Sequence, residues 1–398
     1  MVKVKLGLPI DSTFLSEVIY EGLLYLVKNG YAKYFNYKEI EFKEDFLSLA
    51  YEKLENYGNI KITLTRTIND NVNTKKLFRM FNLSTVNSRK ILNDLFDKLH
   101  SYSNTFYCVK NEINLAPKIK GKTILYDIED KKEGISLQLL KIDRYTGISS
   151  LETNYISQHL TSYFSKELIL IALLGIYSSY VTTLFPPSEK GFQQIYYFLF
   201  FSPEETLGLL SKGNNGLFEA KFIMKEKMKK IINEHIKSAY LNEVLLLDVI
   251  LNLELYKFMK ETNLDKISTI LIKLNPEGQT YKIYETLPIT VFKEMVFHKK
   301  IEKYFRHHEK FAEPVLNFLN DQNVKVALNS LTTRSKMPEA DNLLSAIINL
   351  YRFVILGNTQ GLSEFIREAW NAYEKTKNQN PTKALHYIEL LKKFSYYI

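Results

Sequence analysis

Residues 168–201 read LILIALLGIYSSYVTTLF, then PPSEKG, then FQQIYYFLFF. The first piece is apolar enough to be a fully buried helix. Pro186 and Pro187 are expected to stop it, because proline lacks an N–H and clashes with the preceding turn. Glu189, Lys190 and Gly191 then make a charged loop. The last piece is aromatic and β-prone and reads as a strand. Ser202-Pro203-Glu204-Glu205 has the form of a cap and first turn of a new helix. The stretch predicts a large mixed core with a charged loop at its edge and no catalytic residue set. The run from Leu168 to Phe185 approaches membrane-spanning length. Ser178, Ser179, Thr182 and Thr183 fill its second half, so a buried helix is expected, and no membrane.

Toward the N-terminus, Val2, Val4 and Leu6 alternate with Lys3 and Lys5, an opening strand. Asp11 or Ser12 is expected to cap a helix whose apolar positions run from Phe14 to Val27 and which ends at Asn29-Gly30. Residues 31–66 mix short strands with a helix around Glu44–Glu55. Ile60, Ile62 and Leu64 alternate with polar residues, a second strand. FYCVK (106–110) and INLAPKIKGKTILYDI (113–128) form an expected hairpin pair with Gly121 at a turn. From Ser202 onward the pattern is mostly helical, with a strand pair around Thr269–Ile283 split by Asn275-Pro276-Glu277-Gly278. After Pro288 it predicts about five amphipathic helices. The fold class is α+β: a mixed body over 1–287, then an all-helical region over 288–398.

At 398 residues the chain exceeds the size at which one core stops growing, which fits two regions. A 45% hydrophobic fraction excludes a disordered protein. Lys and Arg outnumber Asp and Glu by 53 to 44, a net charge of +9 that favours anionic partners. A lysine-rich solvated surface explains the same surplus. Cys108 is the lone cysteine, so no disulfide and no cysteine-based zinc site is expected, and a reducing, cytoplasmic location fits. The opening MVKVKLGLPIDS has no apolar core of signal-peptide length.

Several patterns suit nucleic acid. Residues 74–99, TKKLFRMF-NLS-TVNSRKILNDLFDKL, have helix-turn-helix form, with Thr85, Asn87, Arg89 and Lys90 toward a groove and the following hairpin as a wing. Ser88 and Asn82 depart from that motif, and a plain helical hairpin is the alternative. Between Lys221 and Lys237 stand six lysines against two glutamates. Lys221, Lys225 and Lys229 share a stripe that either tracks phosphates or is an ordinary exposed face. Lys118, Lys120 and Lys122 alternate, so they project from one face of a strand. Ser211-Lys212-Gly213-Asn214-Asn215-Gly216 is a glycine loop whose Lys212, Asn214 and Asn215 can bond phosphates or base edges; the alternative is a flexible turn. Lys190 and Gln193 flank the double proline and complete the candidate set. The seven histidines have no ligand spacing, and no nucleotide-binding or nucleophile motif occurs. No enzyme activity, no metal and no cofactor are expected.

Three features together resemble a known family: the early strand followed by a helix around Glu21-Gly22-Leu23-Leu24, the segment ALLGIY…YYFLFFSPEE, and the helical C-terminal region with Lys and Arg in its loops. The chain resembles the large subunit of the archaeal type I-A CRISPR interference complex, Cascade, an antiviral assembly. That resemblance implies a non-catalytic subunit beside the guide RNA 5′ handle. It would inspect the protospacer-adjacent motif on duplex DNA, contact other subunits of a ribonucleoprotein, and help recruit a helicase-nuclease. A stand-alone winged-helix regulator and a purely structural interaction protein are the alternatives.

Overall fold

The computed structural model describes the chain except residues 11–12, 64–67, 81–91, 107–109, 122, 141–160, 186, 189–190, 193, 235–241, 278–279, 295–301, 303–306, 308–309, 332–334 and 396–398. It is an α+β protein with small sheets and with helices concentrated toward the C-terminus. The chain forms two compact units. One comprises Met1–Thr183, Gln193–Phe218 and Ser268–Ile289, and the other Leu184–Phe192, Glu219–Ile267 and Thr290–Ile398. The units interleave along the sequence: Glu219–Ile267, expected within the 1–287 body, groups with the C-terminal helices.

The first unit opens with β1 (Val2–Lys5) and α1 (Phe14–Lys28). The cap of α1 is Thr13, whose side chain accepts from the Ser16 N–H; the expected caps Asp11 and Ser12 lie outside the described residues. Gly30 follows at φ +73°, a left-handed position that glycine reaches without strain. Next come β2 (Ala32–Phe35), β3 (Glu39–Phe42), α2 (Phe46–Glu52), α3 (Ile68–Met80), α4 (Leu92–Ser101) and β4 (Glu112–Asn114). The first sheet runs β2-β3-β1-β4, with β3 antiparallel and β4 parallel to β1. β4 therefore joins the N-terminal sheet and takes no part in the expected hairpin pair. The hairpin that does form is β5 (Lys118–Lys120) with β6 (Thr123–Tyr126) about Gly121, and β7 (Thr161–Phe164) adds parallel to β6. Residues 107–109 of FYCVK lie outside the described residues.

Ile60 and Ile62 are buried as expected; no strand forms over 60–62, Thr63 makes a β-bridge, and Leu64 lies outside the described residues. Side-chain hydroxyls bond Lys61 and Thr63, and the Ile62 carbonyl accepts from the Leu92 N–H at 2.8 Å. The N–H groups of Lys61 and Thr63 donate to the hydroxyls of Tyr180 and Tyr196, both at 3.3 Å. Thr183 and Tyr281 donate to the carbonyls of Lys61 and Thr63.

The central stretch folds as α5 (Lys166–Ser179), capped by Ser165, and passes directly into β8 (Tyr180–Leu184). The prolines therefore do not end the helix. It gives way at the β-branched run Val181-Thr182-Thr183, which prefers a pleated, packed surface. Pro187 instead lies in β9 (Pro187–Ser188), paired with β10 (Gly191–Phe192). β11 (Ile195–Phe201) is buried along its whole length. It pairs antiparallel with β12 (Lys266–Glu277), which is followed by β13 (Thr280–Phe292) in a sheet ordered β13-β12-β11-β8. The last hairpin is longer than the expected 269–283, and β13 carries strand past Pro288. Phe14 of α1 packs edge-on against Phe198 at 5.0 Å and Phe200 at 5.9 Å, joining helix to sheet. Such pairs add about 0.5–1.5 kcal/mol each beyond area burial.

α6 (Pro203–Lys212) begins as expected, with Ser202 accepting from the Glu205 N–H and Pro203 at the first helical position. α7 (Asn215–Glu234) follows two residues later and enters the second unit at Glu219. There, among the described residues, α8 (Asn242–Ile250) and α9 (Leu253–Glu261) precede five helices: α10 (Ala312–Asn320), α11 (Gln322–Ser330), α12 (Ala340–Val354), α13 (Gln360–Thr376) and α14 (Pro381–Lys392). One core unites them. Phe318 meets Phe365 edge-on at 5.1 Å, and Phe365 reaches Phe394 at 4.8 Å. Asn380 caps α14 ahead of Pro381, the start read from sequence. Among the described residues no helix is long and apolar enough to cross a membrane.

Candidate nucleic-acid interface

The described lysines and amides of the candidate set fall in three places. Lys118 and Lys120 are exposed on β5, but both turn to Glu129: Lys118 pairs with its carboxylate, and Lys120 donates to its carbonyl at 2.8 Å. The Lys118 bond holds the Glu129 carboxyl below the usual range. Lys122, Lys190 and Gln193 lie outside the described residues.

Lys221, Lys225 and Lys229 correct the reading of a free phosphate-tracking stripe. Met228 and Ile232 stand at i+7 and i+11 from Lys221, spacings that share one helix face. That face is buried, and Lys221 is only 5% exposed. Lys225 is half-buried, and Lys229 pairs with Glu226 at 3.8 Å. Lys227, not singled out from sequence, makes the stronger ion pair, reaching the buried Asp248 at 2.9 Å.

The glycine loop is shorter than expected, a two-residue turn. Only Gly213 and Asn214 lie between α6 and α7. Gly213 caps α6 at φ +62°, and Asn214 caps α7 by accepting from the Leu217 N–H at 3.3 Å. Asn215 occupies the first turn of α7. Lys212, Asn214 and Asn215 remain exposed, now held by two rigid helices.

This junction meets a strand that sequence reading passed over. A Cβ added to Gly213 would sit 3.2 Å from the Phe35 ring, so β2 packs against the junction. Lys28, at the end of α1, places its ammonium 6.0 Å from the Phe218 ring on the first turns of α7. The end of α1, the edge strand β2 and the α6–α7 junction thus share one corner of the first unit.

β2 is the edge of its sheet and carries a register shift between Ala32 and Tyr34, which leaves Lys33 as the extra residue. Phe35 pairs with the buried Ile40, so it faces inward. Tyr34 pairs with Glu41 and faces outward, 50% exposed. The turn into β3 is set by Asn36, whose side-chain oxygen accepts from the N–H groups of Lys38 and Glu39. Tyr37 stands at its tip, 59% exposed, with the Lys38 ammonium 5.5 Å from its ring.

The charge at this edge is mixed, with Lys33 and Lys38 on β2 and its turn and Glu39 and Glu41 on β3. Glu39 and Glu41 of β3 bind Lys3 at 3.2 and 3.3 Å, and their hydrogen bonds raise the Lys3 ammonium above its ordinary value. Lys33 and Lys212 form no ion pair among the described residues. Burial, then Glu52, pushes up the hydroxyl of Tyr31 at the root of β2. Lysine ammonium groups, exposed phenol rings and side-chain amides are donors and stacking faces, suited to an anionic, base-bearing partner. They form no nucleophile–base pair. Among the described residues no group of three His, Cys, Asp or Glu could hold a metal.

Sequence reading found the junction through its glycine and amides. It missed Lys28, Lys33, Tyr34, Tyr37 and Lys38. The signal was present as KYFNYK (33–38), aromatic and basic residues alternating beside a turn asparagine.

The chain is similar along its whole length to an uncharacterized protein of Archaeoglobus fulgidus. The two are 45% identical over 403 residues that cover 100% of each. No protein-family model matches the chain, and neither does any solved structure.

Proposed function

The chain belongs to the same family as the Archaeoglobus fulgidus protein, and we propose that it is a non-catalytic nucleic-acid-binding subunit of an RNA-guided CRISPR interference complex. It would work in the cytoplasm beside guide RNA, duplex target DNA, further subunits and a helicase-nuclease. The resemblance in sequence suggests the assembly. The observation that carries nucleic-acid binding is the packing of Phe35 against Gly213. That contact sets β2, which carries Lys33 and leads into Lys38, against the helix junction that carries Lys212, Asn214 and Asn215, at an edge whose nearby carboxylates are engaged by Lys3. Lysines there would hold the phosphate backbone without reading sequence. Asn215 keeps its amide for base edges, whereas the Asn214 side-chain oxygen is committed to its cap. In such complexes base pairing reads most of the sequence, and the protein adds backbone and short-motif contacts.

Duplex DNA affinity of the purified chain is expected to fall at least about tenfold between low and physiological salt, as counterion release requires. Replacing Lys33, Lys38 and Lys212 together with Ala should weaken binding to all sequences alike and flatten that salt slope. Binding absent at low salt, or unchanged in the triple variant, would refute the interface. Co-expression with the genes flanking its own should bring guide RNA down with the tagged chain. Purification free of RNA and of other subunits would refute the assembly.

A further inference from the structure

The β2 edge has one property that phosphate binding does not need. Tyr34 and Tyr37 hold their rings in solvent, within three residues of each other, at the end of β2 and the turn that follows it. The Asn36 side-chain amide donates to the Tyr34 hydroxyl at 2.8 Å, and its oxygen accepts two N–H groups of the turn. The Tyr34 hydroxyl is thereby tied to the asparagine that sets the turn on which Tyr37 stands. The bulge at Lys33 and the lysines themselves are also devices by which an edge strand discourages pairing with another sheet. Exposed phenol rings serve no such purpose, since flat apolar rings invite association. Their chemistry is stacking.

A duplex keeps its base faces inside the stack, out of reach of a ring on a turn. An unpaired strand presents them, and every base has a face to offer, so stacking on an aromatic side chain tolerates any sequence. The flanking charge matches such a strand: Lys33 precedes the rings and Lys38 follows them, both exposed. Resting on the function proposed above, we propose that the β2 edge takes an unpaired nucleic-acid strand. Tyr34 and Tyr37 stack its bases, and Lys33 and Lys38 contact the phosphates on either side.

The test uses the full chain and one labelled mixed-sequence oligonucleotide, offered as single-stranded DNA, as single-stranded RNA and as duplex, at low salt. The two single-stranded arms show which kind of strand is taken. The Tyr34→Ala/Tyr37→Ala variant should lose about tenfold or more in single-strand affinity, while duplex affinity holds within about twofold. The Tyr34→Phe/Tyr37→Phe variant keeps the rings and should bind as the parent does. Both pairs are surface changes, and matching thermal melts confirm that the fold is intact. Equal weakening toward single strand and duplex, or no change in either, overturns the stacking role while leaving the proposed function standing. A parent chain that binds none of the three probes overturns both.

Discussion

Tyr180, Tyr196 and Tyr281 show how single side chains complete a segment that pattern alone reads as a strand. Alternation at Ile60 and Ile62 is consistent with their burial, but it suggested a strand. The backbone there bonds to phenol hydroxyls carried by β8, β11 and β13. Periodicity reports which side chains are buried; it does not report which distant hydroxyl takes a backbone N–H. Tyr196 accepts from the Thr63 N–H and donates to the Gln194 side-chain oxygen at 2.8 Å. Tyr196→Phe keeps the ring and removes both bonds. It should lower stability by about 1–3 kcal/mol, the cost of leaving a backbone donor poorly satisfied, read as a lower denaturant midpoint at unchanged slope. A variant as stable as the parent would show that water takes over this backbone. The stacking residues were legible in the same limited sense. KYFNYK names the right side chains, but only the placement of β2 at a sheet edge turns them outward.

α1 and α5 are both readable as helices, and neither their contact nor its closeness is. A Cβ on Gly22 would lie 2.0 Å from the Ile171 carbonyl oxygen, and one on Gly175 would lie 1.8 Å from that of Val18. The backbones touch, and only glycine permits it. In sequence each glycine looks like a small loss of helix propensity. Gly175→Ala, which helix propensity alone would favour, should instead destabilise by about 1–3 kcal/mol or more through overpacking, visible as a lower Tm. In the second unit, Glu339 is buried before α12, and Lys383 of α14 reaches it at 2.5 Å with Tyr387 donating to the same oxygen at 3.3 Å. Lys383 is itself only 13% exposed. Glu339→Ala strands a buried ammonium, and breaking such a pair costs about 3–5 kcal/mol. The expected result is early loss of helical signal on heating. An unchanged melt would mean that Lys383 finds solvent. The junction between α5 and β8 carries the sharper lesson about punctuation. A double proline is the louder stop signal, but Val181-Thr182-Thr183 had already changed the chain from helix to strand.

Across the molecule, the α+β class and the C-terminal helices were legible because they rest on local periodicity. The interleaving of two units was not, because long-range contacts decide which segments group together. The same contacts bury tyrosines of a chain that holds 27 of them, and this makes stability at high pH a property of the whole fold. Burial pushes the hydroxyls of Tyr51, Tyr180 and Tyr197 above their ordinary value, with Glu285 adding to the shift at Tyr197 and the Thr183 hydrogen bond opposing it at Tyr180. Tyr51 donates to the Leu170 carbonyl at 2.8 Å, a bond the phenolate cannot make. Unfolded tyrosine ionises near pH 10, whereas these folded hydroxyls keep their protons to higher pH. Below about pH 10 both states are protonated, and the phenols add no pH dependence. Above it the unfolded state binds fewer protons, so stability falls with rising pH, by up to about 1.4 kcal/mol per pH unit for each such group. The protein should therefore unfold cooperatively on the alkaline side. Tyrosinate absorbance from the core should rise together with the loss of far-ultraviolet circular dichroism. A Tyr51→Phe variant, if stable enough at neutral pH, should show a shallower alkaline decline. Full tyrosinate absorbance in a chain that keeps its circular dichroism would mean that these hydroxyls are open to solvent, contrary to the packing of α2 and β11.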